Sequence, residues 1–361
     1  MFISPLPKKA RMNENEKTTG KTTLVASGKG ENAWQSPSQL YDFGADDPLA
    51  LKNFALVEGA PLSYNNWADI DGGLQGLTHV AAALKKGFGA VPHIAIGLKH
   101  GSACGSGVSR SSQEEALRKM IDGDPEAIFG GVVITNFAIT AERAEILNTH
   151  AVGAGAPRRI LDCVAASVFD NEAVKMLSRK GGKCRLLENS AIAKDGAALL
   201  DTAERFRYVR GGALSQKNYT FVPEADKDVW VSCPFLDGWD AWTDLFLAWG
   251  IGSTSKSNTV TLVKDGKLLA NAVGQQSRVG AAELAVFRAK RAGHETKGAL
   301  AYSDSFFPFV DGADVLIKAG VVTIFATSGS IRDKEVTEHI QNAGVRLVLI
   351  PDEKGRGFFG H

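Results

Sequence analysis

The sequence predicts an α/β fold built as two αβα lobes that divide near residue 200, and three observations point there. Beyond residue 60, segments of helical period alternate with short apolar runs, the pattern of a sheet with helices on its faces. The second half of the chain repeats that alternation. The 361 residues, 44% of them hydrophobic and 22% charged, suit about two units of roughly 150 residues each. A chain of this size can bury its core without a disulfide or metal staple.

The elements follow in chain order. Residues 1–30 hold six Lys/Arg against two Glu and no hydrophobic period, so they are expected to be a flexible basic extension. Gly20-Lys21-Thr22 resembles the end of a phosphate loop, but Asn15 stands where such a loop needs its first glycine. Leu74 to Phe88 reads as a helix, His93 to Leu98 as a strand, Gln113 to Ile121 as a helix and Val132 to Thr135 as a strand. Helical segments are then expected at Ala141 to Leu147 and Asn171 to Leu177, with Ile160 to Val164 extended between them. In the second half, Asp240 to Trp249 reads as a helix. Thr259 to Val263 and Leu268 to Val273 flank Asp265-Gly266, the turn chemistry of a hairpin. Ala281 to Ala292 is helical, Val321 to Ala326 a strand, Asp333 to Asn342 a helix and Val345 to Ile350 the last strand. The expected lobes are 31–200 and 201–361.

Composition narrows the function classes. A formal net charge of +1 removes the electrostatic case for nucleic-acid binding. No apolar stretch approaches the roughly 18 residues of a membrane span, and the first residues lack the apolar centre of a secretory signal. The dispersed cysteines, Cys104, Cys163, Cys184 and Cys233, form no zinc-binding pair and read as reduced thiols of a cytoplasmic protein.

Five polar or glycine-rich clusters fall at strand ends, where open α/β folds place ligands. Lys99-His100, set between Gly97 and Gly101, offers an ammonium and an imidazole side by side, a clamp and a proton carrier. Phe129-Gly130-Gly131 lets a planar ligand approach the backbone, or simply closes the turn begun at Asp124-Pro125. Ser257-Asn258 and the run from Gly274 to Arg278 form an anion site ahead of a helix, or a structural cap. Ser303 to Phe309 places rings beside Asp304, with Asp311 close by, as core or as a slot for a heterocycle. Ser328 to Asp333 opens another helix, for which N-capping suffices as a reason.

In this order the clusters resemble the transformylase domain of the bifunctional enzyme that formylates 5-aminoimidazole-4-carboxamide ribonucleotide (AICAR) and closes the ring to IMP. The likeness covers about residues 60 to 361. It includes Leu62 to Asn66, Ala68-Asp69, Lys99-His100, Phe129 to Gly131, Arg210 to Gly212, Ser257-Asn258, Gly274 to Arg278, Phe306 to Phe309 and Ser328 to Asp333.

The resemblance implies duplicated cytidine-deaminase-like lobes without the deaminase zinc, in a homodimer with shared active sites. It implies formyl transfer from 10-formyltetrahydrofolate to the 5-amino group of AICAR in purine biosynthesis. Lys99, His100 and Asn258 would be catalytic. Gly130, Asp162, Arg278 and Phe306 would hold the nucleotide, with Arg356 as a ligand from the partner subunit. Phe129, Pro308, Asp311 and Ser330 would line the folate side, and a monovalent cation such as K+ would fit near the substrate loops. The usual cyclohydrolase domain is not recognised, so the chain is expected to stop at formyl-AICAR and to rely on a separate cyclohydrolase. The family's nucleotide-binding element is eroded at Asn32 to Gln39, where only Pro37 and Gln39 match. A non-catalytic nucleotide-binding regulator, or a formyltransferase with another donor or acceptor, is the alternative.

Overall fold

The structure, a computed structural model, describes residues 23–32, 34–153, 155, 157–224, 236 and 238–360. Strands β1 (Thr23–Gly28) and β2 (Ser38–Asp42) pair as an antiparallel ribbon. Residues 23–28 are thus part of a strand pair rather than of a free extension, while residues 1–22 and Cys233 lie outside the described residues. After β3 (Ala55–Glu58) come α1 (Tyr64–Phe88), β4 (His93–Lys99), β5 (Ser102–Ser109), α2 (Gln113–Gly123), β6 (Val132–Thr135), α3 (Ala141–Thr149), β7 (Cys163–Ala166), α4 (Asn171–Leu177) and β8 (Arg185–Glu188). A second ribbon, β9 (Glu204–Val209) with β10 (Gly212–Lys217), stands apart from the main sheet. The chain continues as α5 (Gly238–Gly252), β11 (Val260–Lys264), β12 (Lys267–Ala272), α6 (Arg278–Arg291), β13 (Leu300–Ser303), α7 (Val310–Lys318), β14 (Thr323–Ser328), α8 (Asp333–Asn342), β15 (Arg346–Pro351) and the short α9 (Asp352–Gly355).

Eleven strands form one mixed sheet in the order β15-β14-β13-β11-β12-β5-β4-β6-β7-β8-β3. From β5 outward the order is 5-4-6-7-8, and from β12 outward it is 12-11-13-14-15. The same α-β-β-α-β-α-β-α-β series therefore occurs twice, joined edge to edge where β12 meets β5. Helices cover both faces. On one face α1 and α5 pack over a core that runs beneath both halves, from Ile94 and Leu98 to Tyr302 and Val348. On the other face α2 to α4 and α6 to α8 cover separate cores. Strand side chains alternate between them. Val132 and Ile134 of β6 face α1, whereas Val133 faces the opposite core. Burial on both faces is why these strands read as unbroken apolar runs.

Helix α1 starts ten residues earlier than Leu74. Ser63 caps it, accepting the Asn66 N–H while the Asn66 side chain accepts the Ser63 N–H, a reciprocal capping box. The first turns carry few apolar residues, so periodicity alone begins only at Leu74. Gly73 lets this helix lie close to the sheet, for a Cβ there would stand 2.8 Å from Leu98 and 2.9 Å from Ile134. The extended segment expected from Ile160 starts at Cys163, so Asp162 lies just before the strand.

Strand directions decide where the candidate residues meet. β4 is antiparallel to β5 and β6, and β6, β7 and β8 are parallel. β12 is antiparallel to β5 and β11, β11 is antiparallel to β13, and β13, β14 and β15 are parallel. One end of the sheet therefore collects the C-terminal ends of β4, β12, β13, β14 and β15 with the N-terminal ends of β6, β7 and β11.

Candidate active site

That end carries every candidate residue, in two groups. The first surrounds the β4–β5 hairpin. His100 and Gly101 fill its two-residue turn with φ of 54° and 72°, a primed turn of the kind that matches strand twist. A histidine in this left-handed region is uncommon and needs outside support. The support comes from α1, where Asp69 Oδ1 accepts the Gly101 N–H at 2.6 Å. Lys99 donates to the Phe129 carbonyl at 2.7 Å, fastening the ammonium to the turn before β6. Gly130 holds φ of 72° there with open space where a Cβ would point, and Phe129 is half exposed. Asp162, at the start of β7, donates its N–H to Gly131 O and lies 3.4 Å from Arg179.

Burial pushes the Asp69 carboxyl above the usual carboxylate range. The Gly101 N–H and the His100 charge act against that, and Asp162 adds to it. Cys104 and Cys184 are inert by the same physics, with burial pushing their thiols up to about 12 and about 11.

The second group centres on a buried ion pair. Arg278, the first residue of α6, donates to Asp304 and to Asn258 Oδ1, the latter at 2.7 Å. Asn258 in turn donates to the Gln275 carbonyl at 2.9 Å, so both ends of its amide are occupied within this group. Of the two readings, an anion site or a structural cap, the first needs Arg278 as an open fork. Instead its side chain is only 9% exposed and faces inward, because Asp304, with no exposure at all, requires a counter-charge. The helix start is capped by Ser277, which accepts the Gly280 N–H. Oδ2 of Asp304 is buried with no hydrogen-bond partner.

Arg356 lies 5.3 Å from the Phe306 ring centroid of its own chain, 3.1 Å from Asp352, and donates to Ser305. Phe309 stands exposed beneath Arg332, 4.9 Å from its ring centroid. Pro308 is half-buried, and Asp311 turns its carboxylate onto the Gly312 N–H. Ser330 accepts the Arg332 N–H and donates its own to Asp333, which pins the loop before α8. Beside these residues an open cleft of about 560 Å³ is lined by Val310, Ile331, Arg332 and Glu335.

No hydrogen bond or ion pair joins the two groups among the described residues. Lys99 and Asn258 stand at the ends of β4 and β11, with β5 and β12 between them. Of the eroded element, Asn32 bonds to Gln35, while Ser38 and Gln39 line a cavity of about 270 Å³ with Trp67 and Asp71. Ala33 lies outside the described residues.

Sequence reasoning did not single out Asp69. Its signal lies in the Ala68-Asp69 match, but a helix whose period begins at Leu74 leaves this residue off α1 and away from the His100 turn.

The model of the family "AICARFT/IMPCHase bienzyme" matches residues 6–288, a span that holds Lys99, His100, Asp162, Asn258 and Arg278 and stops short of Phe306. The bifunctional purine biosynthesis protein PurH of Mycobacterium ulcerans (strain Agy99) is 33% identical over 322 residues, covering 89% of this chain and 55% of that protein. PurH of Mycobacterium leprae (strain Br4923) is 34% identical over 325 residues, with the same coverage of 89% and 55%. The chain thus spans about half the length of the curated relatives it matches. Among solved structures, a diaminohydroxyphosphoribosylaminopyrimidine deaminase/5-amino-6-(5-phosphoribosylamino)uracil reductase from Thermotoga maritima matches at 19% identity and a TM-score of 0.21, over 27% of this chain and 31% of that one.

Proposed function

Since the chain belongs to the AICARFT/IMPCHase bienzyme family, we propose that it carries the formyl-transfer half of that chemistry. The formyl group of 10-formyltetrahydrofolate passes to the 5-amino group of AICAR, giving formyl-AICAR. The observation that carries this reading is the meeting of an ammonium, an imidazole in a supported left-handed turn and an open glycine at one end of the sheet.

The AICAR amine is conjugated with its carboxamide and is a poor nucleophile. In this reading His100 takes its proton as the C–N bond forms, and Lys99 stabilises the oxygen that becomes negative on the formyl carbon. The C–N bond to N10 of the folate then breaks, and the proton held by His100 passes to N10 as it leaves. Gly130 and Asp162 border the heterocycle, and Phe129, Pro308, Asp311 and Ser330 border the folate. Arg278 holds Asn258 and Asp304 in place in the free chain, while Phe306 and Arg356 face the nucleotide. The two groups stand at the ends of β4 and β11 with β5 and β12 between them, which supports a homodimer in which each site draws on both copies. The partnerless, buried Oδ2 of Asp304 suits a monovalent cation such as K+, which would supply a counter-charge to that oxygen. We read the repeated halves as duplicated cytidine-deaminase-like lobes.

The test is tetrahydrofolate release by the purified protein given AICAR and 10-formyltetrahydrofolate, with His100→Ala as the control. That variant is expected to lose at least about a hundredfold in turnover with an unchanged unfolding midpoint. Near-normal activity in it rejects the assignment. AICAR binding without release favours a regulatory nucleotide binder, and neither binding nor release points to another amine acceptor.

A further inference from the structure

The internal repeat supplies a comparison within the molecule. Lys264-Asp265-Gly266 closes the β11–β12 hairpin as Lys99-His100-Gly101 closes β4–β5, and its turn residues have φ of 55° and 68°. Lys264 donates to the Lys297 carbonyl at 3.0 Å, just as Lys99 does to Phe129. Gly298 has φ of 83° where Gly130 has 72°. Asp244 of α5 stands where Asp69 of α1 stands and accepts the Gly266 N–H at 2.6 Å.

The two clamps differ in one respect. Both oxygens of Asp244 are used on its turn, Oδ2 accepting the Asp265 N–H at 3.0 Å. Asp69 binds its turn through Oδ1 alone, and among the described residues its Oδ2 has no hydrogen-bond partner. The residue that would have taken that oxygen is His100. The first repeat has thus released one carboxylate oxygen at the one turn that carries an imidazole.

We propose that Asp69 is the positioning residue for His100: one oxygen holds the left-handed turn, and the other is kept free to pair with the imidazole when it receives the substrate proton. The inference rests on the formyl-transfer reading for its catalytic consequence, although the pairing itself does not. A carboxylate beside a histidine favours the protonated ring and orients it, as the third member of a catalytic triad does. Other ionisable groups face the same place. Lys99 stands on β4, Cys104 on β5, Asp162 and Cys163 at the start of β7, and Arg179 beside Asp162. Asp162 and His100 are the charges that bear on the Asp69 carboxyl, and His100 is the one that favours its ionised form.

The pairing is tested on the full chain by NMR titration of the His100 ring, assigned by its loss in His100→Ala. In Asp69→Asn, which keeps an acceptor for Gly101, the midpoint is expected to move to lower pH by about half a unit or more. In Asp244→Asn it stays in place. Asp69→Ser serves where the asparagine variant does not fold. Steady-state assays should show kcat in Asp69→Asn lowered by about tenfold or more, KM for AICAR little changed, and the acid limb of kcat/KM displaced to lower pH. An unmoved ring titration in Asp69→Asn, or an equal movement in Asp244→Asn, overturns the inference even if the wild type transfers formyl. A ring shift in a protein that transfers no formyl group to AICAR overturns the functional reading and leaves the pairing in place.

Discussion

A hydrogen bond from a lysine to a carbonyl at a candidate active site invites a catalytic interpretation, yet here the same bond occurs twice. Lys99 reaches Phe129 O at 2.7 Å and Lys264 reaches Lys297 O at 3.0 Å, each from the end of a hairpin strand to the turn before the next strand. The bond is therefore a property of the repeat, a brace between hairpin and turn. Its catalytic use depends on what stands beside it. His100 and Phe129 flank Lys99, whereas Asp265 and Lys297 flank Lys264. Truncating either lysine to methionine should cost stability by a similar amount, about 1 kcal/mol for one partly exposed hydrogen bond. Formyl transfer should fall by at least about a hundredfold in Lys99→Met alone. Paired urea-unfolding and tetrahydrofolate-release measurements check this, and equal activity in the two variants would remove Lys99 from the chemistry.

At the scale of elements, α1 does two jobs, and both depend on its full length. Its first turns deliver Asp69 to the hairpin, and its middle delivers His79 to the shared core. His79 is fully buried, with Nδ1 2.7 Å from Gln75 O and Nε2 3.1 Å from Tyr219 O, and it stacks on the Tyr219 ring. Burial lowers its pKa from the ordinary 6.5, and the two carbonyls only partly oppose this. As pH falls below about 6.5, the unfolded chain takes up a proton that the folded chain refuses. Stability is then complete above that value and lost on acidification. Urea midpoints measured at pH 7.5 and 5.5 should differ in the wild type and differ less in His79→Gln. Helices of strong period were legible in advance. The bounds of α4 and α8 were read in full, and the hairpin at Asp265-Gly266 followed from turn chemistry alone. Strand β5 was missed because Ser102-Ala103-Cys104-Gly105-Ser106-Gly107 has no apolar alternation to read. Its glycines are there for close approach, since a Cβ at Gly105 would stand 2.0 Å from the Met120 carbonyl. At the site, Lys99 and His100 were legible from their glycine setting. The inward turn of Arg278 was not, because it is set by Asp304, twenty-six positions away.

The whole molecule depends on a seam that backbone pairing barely closes. β5 and β12 share one paired position, Lys267 with Gly107, at the end of the strands away from the candidate site. Continuing that register places Asn271 opposite Ala103, near the site end. There the Asn271 side chain makes the link that the backbones do not. Its Nδ2 donates to Ala103 O at 3.4 Å and to Ser255 Oγ at 3.0 Å, and its Oδ1 accepts from Thr261 at 2.9 Å. The residue is 3% exposed, so none of these groups has water to fall back on. Asn271→Leu is close to its volume but would leave the Ala103 carbonyl and the Thr261 hydroxyl facing an apolar side chain, while Ser255 keeps its bond to Ile251 O, at a cost of about 2–4 kcal/mol. The sheet end that carries Lys99 lies on one side of this seam and Asn258 on the other, so loosening it also loosens the alignment of the two groups. The expected outcome is a lower urea midpoint together with a raised KM for AICAR. Asn271→Asp, which buries a carboxylate with no counter-charge and turns its second oxygen onto the Ala103 carbonyl, should lower the midpoint at pH 7 at least as far as leucine does. A leucine variant as stable as the wild type would show that the shared core under α1 and α5 holds the halves together without the seam.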